Sequence, residues 1–258
     1  MNKIVIVVSM VLFSFNALSW GMLGHRITGE IASKHLSAKA QSEIKSIIGE
    51  DSLAQLSNYP DFVKSDPVMR KKYSAWHYVS YSKNETILKR KVSMKGDILY
   101  GISYFTKILK EKESSKREKR EALAFIIHFI GDVHQPLHVG FPHDKGGNTV
   151  KVKWFGEDTN LHAVWDEKLI KLQEMSYTEY AVELNKFSEN DKRITSWQLS
   201  KVTDWAKESR DYLPKTYDFK QGKYWEFSYN YKHLDFLNQR LLKGGVRLAG
   251  HLNTIFSM

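Results

Sequence analysis

Residues 128–138 read HFIGDVHQPLH and residues 161–166 read LHAVWD, and the spacing inside these two blocks decides how the chain is built. His128 and Asp132 stand four residues apart, as do His162 and Asp166. On a helix that spacing puts both side chains on one face, one turn apart. Each pair then offers an imidazole and a carboxylate to a single point. Pro136 cannot continue the first helix, so His138 is free to fold back. Helical His/Asp pairs that feed a shared centre suit a multinuclear zinc site. His134 lies off the face of His128 and Asp132, and is expected to hydrogen-bond around the ligands instead of joining them.

Outward from these blocks, apolar residues recur at helical spacing. Ile27, Ile31 and Leu36 form one set, and Ile44, Ile47 and Ile48 another, which ends at Gly49 as a helix stop would. Residues 98–109 and 122–132 are predicted as two long helices, joined by the charged stretch 110–120, a solvated helix end or loop. Residues 148–155, NTVKVKWF, alternate polar and apolar after the turn DKGG and predict a small hairpin or edge strand. Helices resume at Leu161 behind Asn160 as N-cap. The last third is amphipathic and rich in Leu, Trp and Tyr. No linker or repeat divides the chain, so the expectation is mainly α, one domain, with a small β-hairpin near 148–155.

The chain has 258 residues, of which 42% are apolar, enough for one globular core. Residues 1–19 carry one lysine, an apolar run and then Ala17-Leu18-Ser19, the pattern of a secretory signal peptide. Cleavage there leaves a domain of residues 20–258 that begins at Trp20. The absence of cysteine excludes disulfides, so an exported protein must draw its stability from its core, from bound metal or from both. The formal charge of +10 becomes +9 when Lys3 leaves with the leader. Such a surface attracts polyanions, whether nucleic acids, anionic membranes or cell-wall polymers.

Further metal-ligand candidates are Asp61 in NYPDFVK, His77 in SAWHYVSY, and Trp20 and His25 in WGMLGH. Asp61 follows a proline and His77 sits among aromatics, settings that can hold a polar group against a buried centre. For Trp20 the argument is chemical. A freed α-amino group has a pKa near 8, so a metal readily displaces its proton, and with the carbonyl oxygen of the same residue it closes a five-membered chelate.

With these residues together, the chain resembles the trinuclear-zinc, single-strand-specific nucleases and 3′-nucleotidases of fungi and plants, which have bacterial relatives. WGMLGH, YPDFVK, WHYV, HFIGDVHQPLH, DKGGN, LHAVWD and WAKES (residues 205–209) match that family's motifs in order, over essentially all of residues 20–258. The resemblance implies a helical fold of the zinc nuclease and phospholipase C type. It implies three zinc ions: one held by Asp61, His77, His128 and Asp132, a second by His138, His162 and Asp166, and a third by Trp20, His25 and a bridging Asp132. Lys64 and Asn148 match positions near the scissile phosphate, where an ammonium and an amide can offset developing charge, and Asp61 joins them as a catalytic position. Tyr78 matches an aromatic on which an unpaired base stacks. Ser80 stands where the fungal enzymes carry an aspartate, and residues 84–86 form a glycosylation sequon.

The expected activity is hydrolysis of single-stranded DNA and RNA to 5′-phosphate products, with 3′-nucleotidase activity. The enzyme is expected to be secreted or periplasmic, monomeric, and without stable membrane association. A zinc-dependent phospholipase C is the alternative enzyme, since fold alone does not fix substrate. An exported binding protein without catalysis is a third reading, against which every ligand position holds a competent residue.

Overall fold

The computed structural model describes residues 20–90, 94–188 and 192–257, and the leader expected over residues 1–19 lies outside them. Among the described residues, seven helices of ten residues or more build the frame: α1 (Met22–His35), α2 (Ala38–Ile48), α3 (Ile98–Lys110), α4 (Lys116–Asp132), α5 (Tyr177–Lys186), α6 (Val202–Thr216) and α7 (Trp225–Phe256). Shorter helical turns connect them. One antiparallel hairpin, β1 (Lys151–Trp154) and β2 (Glu157–Asn160), pairs Val152 with Thr159 and Trp154 with Glu157. The molecule is mainly helical, as the periodicity predicts.

Local chemistry sets the ends of these elements. Ser37 caps α2 by accepting the Ala40 N–H, and Gly49, at φ 68°, stops it, a backbone angle that costs glycine little. Ser115 and Glu118 form a capping box that starts α4 at Lys116. The helix therefore begins six residues before the expected Ala122, because the box satisfies its first N–H groups while the charged side chains stay in solvent. The hairpin also runs later than expected, over residues 151–160 in place of 148–155, since residues 148–150 are still completing the glycine turn.

Two apolar clusters fill the interior. One gathers Phe105, Phe125, Ile126 and Phe129 between α3 and α4, with the rings of Phe105 and Phe125 stacked at 4.3 Å. The other joins α1, the hairpin, α5 and α7 through Ile27, Trp154, Tyr180 and Leu241. Each such fully buried side chain contributes about 1.5–3 kcal/mol. α7 spans 32 residues and lies against α1. At Gly245 a Cβ would come within 2.5 Å of the Ile31 side chain, so any larger residue would push the two helices apart. This close packing sets His25 on α1 beside the end of α4.

Candidate metal centre

Four elements converge where α4 ends. His128 and Asp132 come from its last turns, with Nε2 of His128 3.3 Å from Oδ2 of Asp132. His77 closes the 3-10 turn Ser74–His77, and its Nδ1 lies 3.0 Å from His128 Nε2 and 3.2 Å from the same carboxylate oxygen. Asp61, on the short helix Tyr59–Phe62, brings Oδ1 to 3.7 Å from His128 Nε2. On the far side, His25 Nε2 and the Trp20 main-chain nitrogen each stand 3.3 Å from Asp132 Oδ1. The two oxygens of Asp132 thus face two different donor sets. Trp20 is anchored in its place by a hydrogen bond from its indole to the Gly131 carbonyl, 2.8 Å.

A second group forms beside it. Pro136 starts the 3-10 turn Pro136–Val139 that carries His138. His138 Nε2 lies 3.4 Å from Asp166 Oδ1, and His162 Nε2 lies 3.2 Å from Asp166 Oδ2. Asn160 caps this segment by accepting the Ala163 N–H. The helix is not regular: a single α turn, Leu161–Ala163, runs into a π-helical turn, Val164–Lys168. Such wide turns gather at functional sites, and across this one His162 and Asp166 still meet at 3.2 Å.

Four donors ligating zinc at about 2.0–2.1 Å in a tetrahedron stand about 3.3–3.4 Å from one another. The nitrogens and oxygens here lie 3.0–3.4 Å apart except at the looser Asp61 edge. The imidazoles are also set for ligation. Nδ1 of His128, His138 and His162 points at the carbonyls of Ser57, His77 and Gly146 at 2.7, 2.8 and 2.6 Å. Those contacts hold a proton on Nδ1 and aim Nε2 at the other donors, with the lone pair that ligation needs on His128 and His162. Both ring nitrogens of His25 are buried without a hydrogen-bond partner, a costly state unless something accepts the lone pair. Three overlapping groups of residues, His25, Asp61 and His128; His77, His128 and Asp132; and His138, His162 and Asp166, therefore have donor atoms close enough to hold metal ions, and because the first two share the one free nitrogen of His128 they are alternative groupings of one cluster.

Electrostatics favours the ligating forms. Burial pushes the pKa of His25 down to about 4 and that of His77 to about 3, with help from His128 and Lys64 respectively. Burial also lowers that of His162. Burial would raise Asp132, but His128, His138 and His25 around it outweigh that and hold it well below the usual carboxylate range. His138 goes the other way. Burial opposes its charge, yet Asp132 and Asp166 overcome this and raise it to about 9.

The remaining expected residues surround this core. Lys64 donates to Asp61 Oδ1 at 2.6 Å, so the ammonium sits at the rim of the first group. Tyr78 is 47% exposed directly after His77. Asn148 ends the turn whose Gly146 carbonyl takes the His162 proton, and its amide donates to Lys145 O. Gly146 has φ 62°, and a Cβ there would fall 2.3 Å from Leu137 O, so only glycine lets this strand of backbone touch His162.

One expectation fails. His134 is buried and does not ligate, but it hydrogen-bonds to no ligand either: Nδ1 donates to Ile130 O at 2.7 Å, and Nε2 accepts from Arg247 at 3.2 Å. Six residues past His128 is more than one and a half helical turns, which turns it away from the centre, toward the ion-pair network of Glu208, Arg240 and Arg247. The residue that does brace the ligands is Gln135. It is fully buried, donates to Asp166 Oδ1 at 2.6 Å and accepts from Leu137 N at 2.5 Å. Its only sequence signal is its place before Pro136, where an N-cap is needed.

Comparison with known proteins decides what kind of centre this is. Residues 20–257 match the S1/P1 Nuclease family. The chain belongs to that family. It is 32% identical to Endonuclease 2 of Arabidopsis thaliana, over 93% of this chain and 92% of that protein. It is also 27% identical to Nuclease P1 of Penicillium citrinum over 92% and 97%, and 31% identical to Nuclease S1 of Aspergillus oryzae over 58% and 54%. The protein is therefore a phosphodiester-cleaving nuclease, and the alternative of a phospholipase C is set aside. The family match begins at Trp20, the residue whose main-chain nitrogen faces Asp132.

Proposed function

We propose that this nuclease hydrolyses single-stranded DNA and RNA to 5′-phosphate products, and removes 3′-phosphates from nucleotides, at a centre of three zinc ions. The observation that carries this reading is Asp132, whose two oxygens face separate donor sets at tetrahedral-edge distances. Asp61, His77, His128 and Asp132 would hold one ion, His138, His162 and Asp166 a second, and the Trp20 amine and carbonyl with His25 and Asp132 a third. Zinc, when bound, supplies an activated water near neutral pH and neutralises phosphoryl oxygens.

The chain's own groups do the rest. Asp61 holds Lys64 at the rim, where its ammonium offsets charge that grows on the phosphate. The amide of Asn148, on the turn that meets His162, donates a hydrogen bond to the phosphate. The exposed ring of Tyr78 offers a stacking face, which a paired base cannot use; this favours single strands. Ser80, two residues on, gives a hydroxyl where the fungal enzymes carry an acid that contacts the base, so the base contacts of that pocket differ from theirs.

Residues 1–19 act as the leader, residues 20–258 as the mature domain, and the product is an exported, periplasmic or secreted monomer. Among the described residues no helix is long and apolar enough to cross a membrane.

The test takes the exported protein starting at Trp20, measures its metal content, and assays single-stranded and duplex DNA before and after zinc is stripped. Three zincs per chain and loss of single-strand cleavage on stripping are expected. Full activity without zinc would sink the reading.

A further inference from the structure

The charged stretch 110–120, which looks like a plain solvated connection, is sorted in three dimensions. Lys110, Lys112, Lys116 and Lys119 all line one cavity of about 630 Å³ between α2, the start of α4 and the end of α7. The acids of the same stretch do not line it. Glu111 faces Lys107 at 3.7 Å, and Glu118 turns back to cap α4. Glu43 is the one carboxylate on the wall, and the floor is apolar, with Ile47, Leu109 and Ile255 each buried. None of the four lysines has an ion-pair partner among the described residues; Lys119 donates to a main-chain carbonyl, Lys112 O, at 3.5 Å.

The lysines of a stretch that holds six basic and three acidic residues thus gather on a concave surface with a net charge of about +3, four lysines against Glu43, at the positive end of a 17-residue helix. The neighbouring cavity of about 360 Å³ is charge-balanced, with Arg117 and Arg120 set against Asp51 and Glu121 and Arg120 paired with Asp51, so the excess of positive charge is confined to the lysine groove. From Lys116 to Asp132 the axis of α4 covers about 24 Å.

We propose that the lysine-lined groove is a docking site for the sugar-phosphate backbone of the single-stranded substrate, remote from the cleavage centre, so that long strands are held at both places. This rests on the nuclease reading above. A backbone suits the groove better than a membrane does, because its cations line a concavity and its apolar residues are buried in the floor where lipid cannot reach.

Binding is read by fluorescence anisotropy on the metal-loaded protein, with a long phosphorothioate single strand that resists cleavage, at several salt concentrations. In the K110Q/K112Q/K116Q/K119Q variant the slope of log affinity against log salt should become shallower by about 3, at about 0.7 per phosphate contact. Between roughly 50 and 200 mM salt this is about a fifty-fold difference in lost affinity. Turnover of a dinucleotide should stay as in the parent. An unchanged strand affinity would overturn the proposal, as would loss of binding to phosphatidylserine vesicles with strand binding intact. The E43K variant provides an independent arm: it should tighten strand binding and steepen the salt slope, and no change there also overturns it. Should the parent cleave neither substrate, the nuclease reading falls, while the anisotropy still judges the groove.

Discussion

Replacing Gln135 with leucine tests whether the centre depends on groups that never touch a metal. The side chain is fully buried and makes two hydrogen bonds, one to Asp166 Oδ1 at 2.6 Å and one from Leu137 N at 2.5 Å. Leucine keeps most of the volume, so little cavity forms. A lost hydrogen bond to a charged acceptor costs about 1.5–3 kcal/mol, and a buried N–H left unpaired about 1–3 kcal/mol. Together these give about 3–5 kcal/mol, which in a chain of this size lowers Tm by roughly 6–20 °C. The carboxylate also loses the donor that orients it between His138 and His162, and such losses reduce metal affinity about 10- to 100-fold. Thermal unfolding of the stripped protein reads the first effect, and zinc competition against a chelator reads the second. A Tm shift within about 2 °C together with unchanged affinity would refute the idea that Gln135 positions the ligands.

Adding one alanine before Trp20 should leave the fold intact and remove one zinc per chain by mass spectrometry, because a peptide nitrogen offers no lone pair where the amine must; three zincs would refute this. Loading metal at pH 7 should release a proton from His138, whose pKa is raised to about 9 by Asp132 and Asp166 against burial; calorimetry in two buffers of different ionisation enthalpy reads it, and zero protons would count against the assignment. In the stripped chain the same raised pKa gives stability that is present below about 6.5 and is lost as pH rises toward 9. Glu208 carries the opposite sign. Burial raises it, but Arg247, Arg240 and Lys243 outweigh this and bring it down to about 2, so its stabilisation is present above about 4.5 and fades as pH falls toward 2. Glu208→Gln should therefore lower Tm at neutral pH and flatten the acid slope of Tm; an unaltered acid slope would contradict it.

Much of the geometry of this candidate centre was legible in the sequence because the residues that form it obey local rules. The His128/Asp132 and His162/Asp166 spacings hold on the folded chain, and Pro136 turns His138 back as a helix-breaking ring must. Asn160 caps the segment it was expected to cap. The element boundaries were less legible. The capping box at Ser115 and Glu118 draws a charged run into α4, and the glycine turn delays the hairpin to residue 151.

What the sequence alone determined is which side chains can ligate and on which helical face each pair stands, since these follow from residue type and the 3.6-residue period. Only the tertiary structure decided how the sets meet. Asp132 turns one oxygen to His77 and His128 and the other to His25 and Trp20 because α1 is pressed against α7 and the end of α4. That packing joins residues more than a hundred positions apart. His134 and Gln135 show the same division: both are polar residues beside ligands, yet one braces Asp166 and the other pairs with Arg247. Their chemistry is equally suited to either task, and only the direction in which the chain turns after α4 assigns the roles.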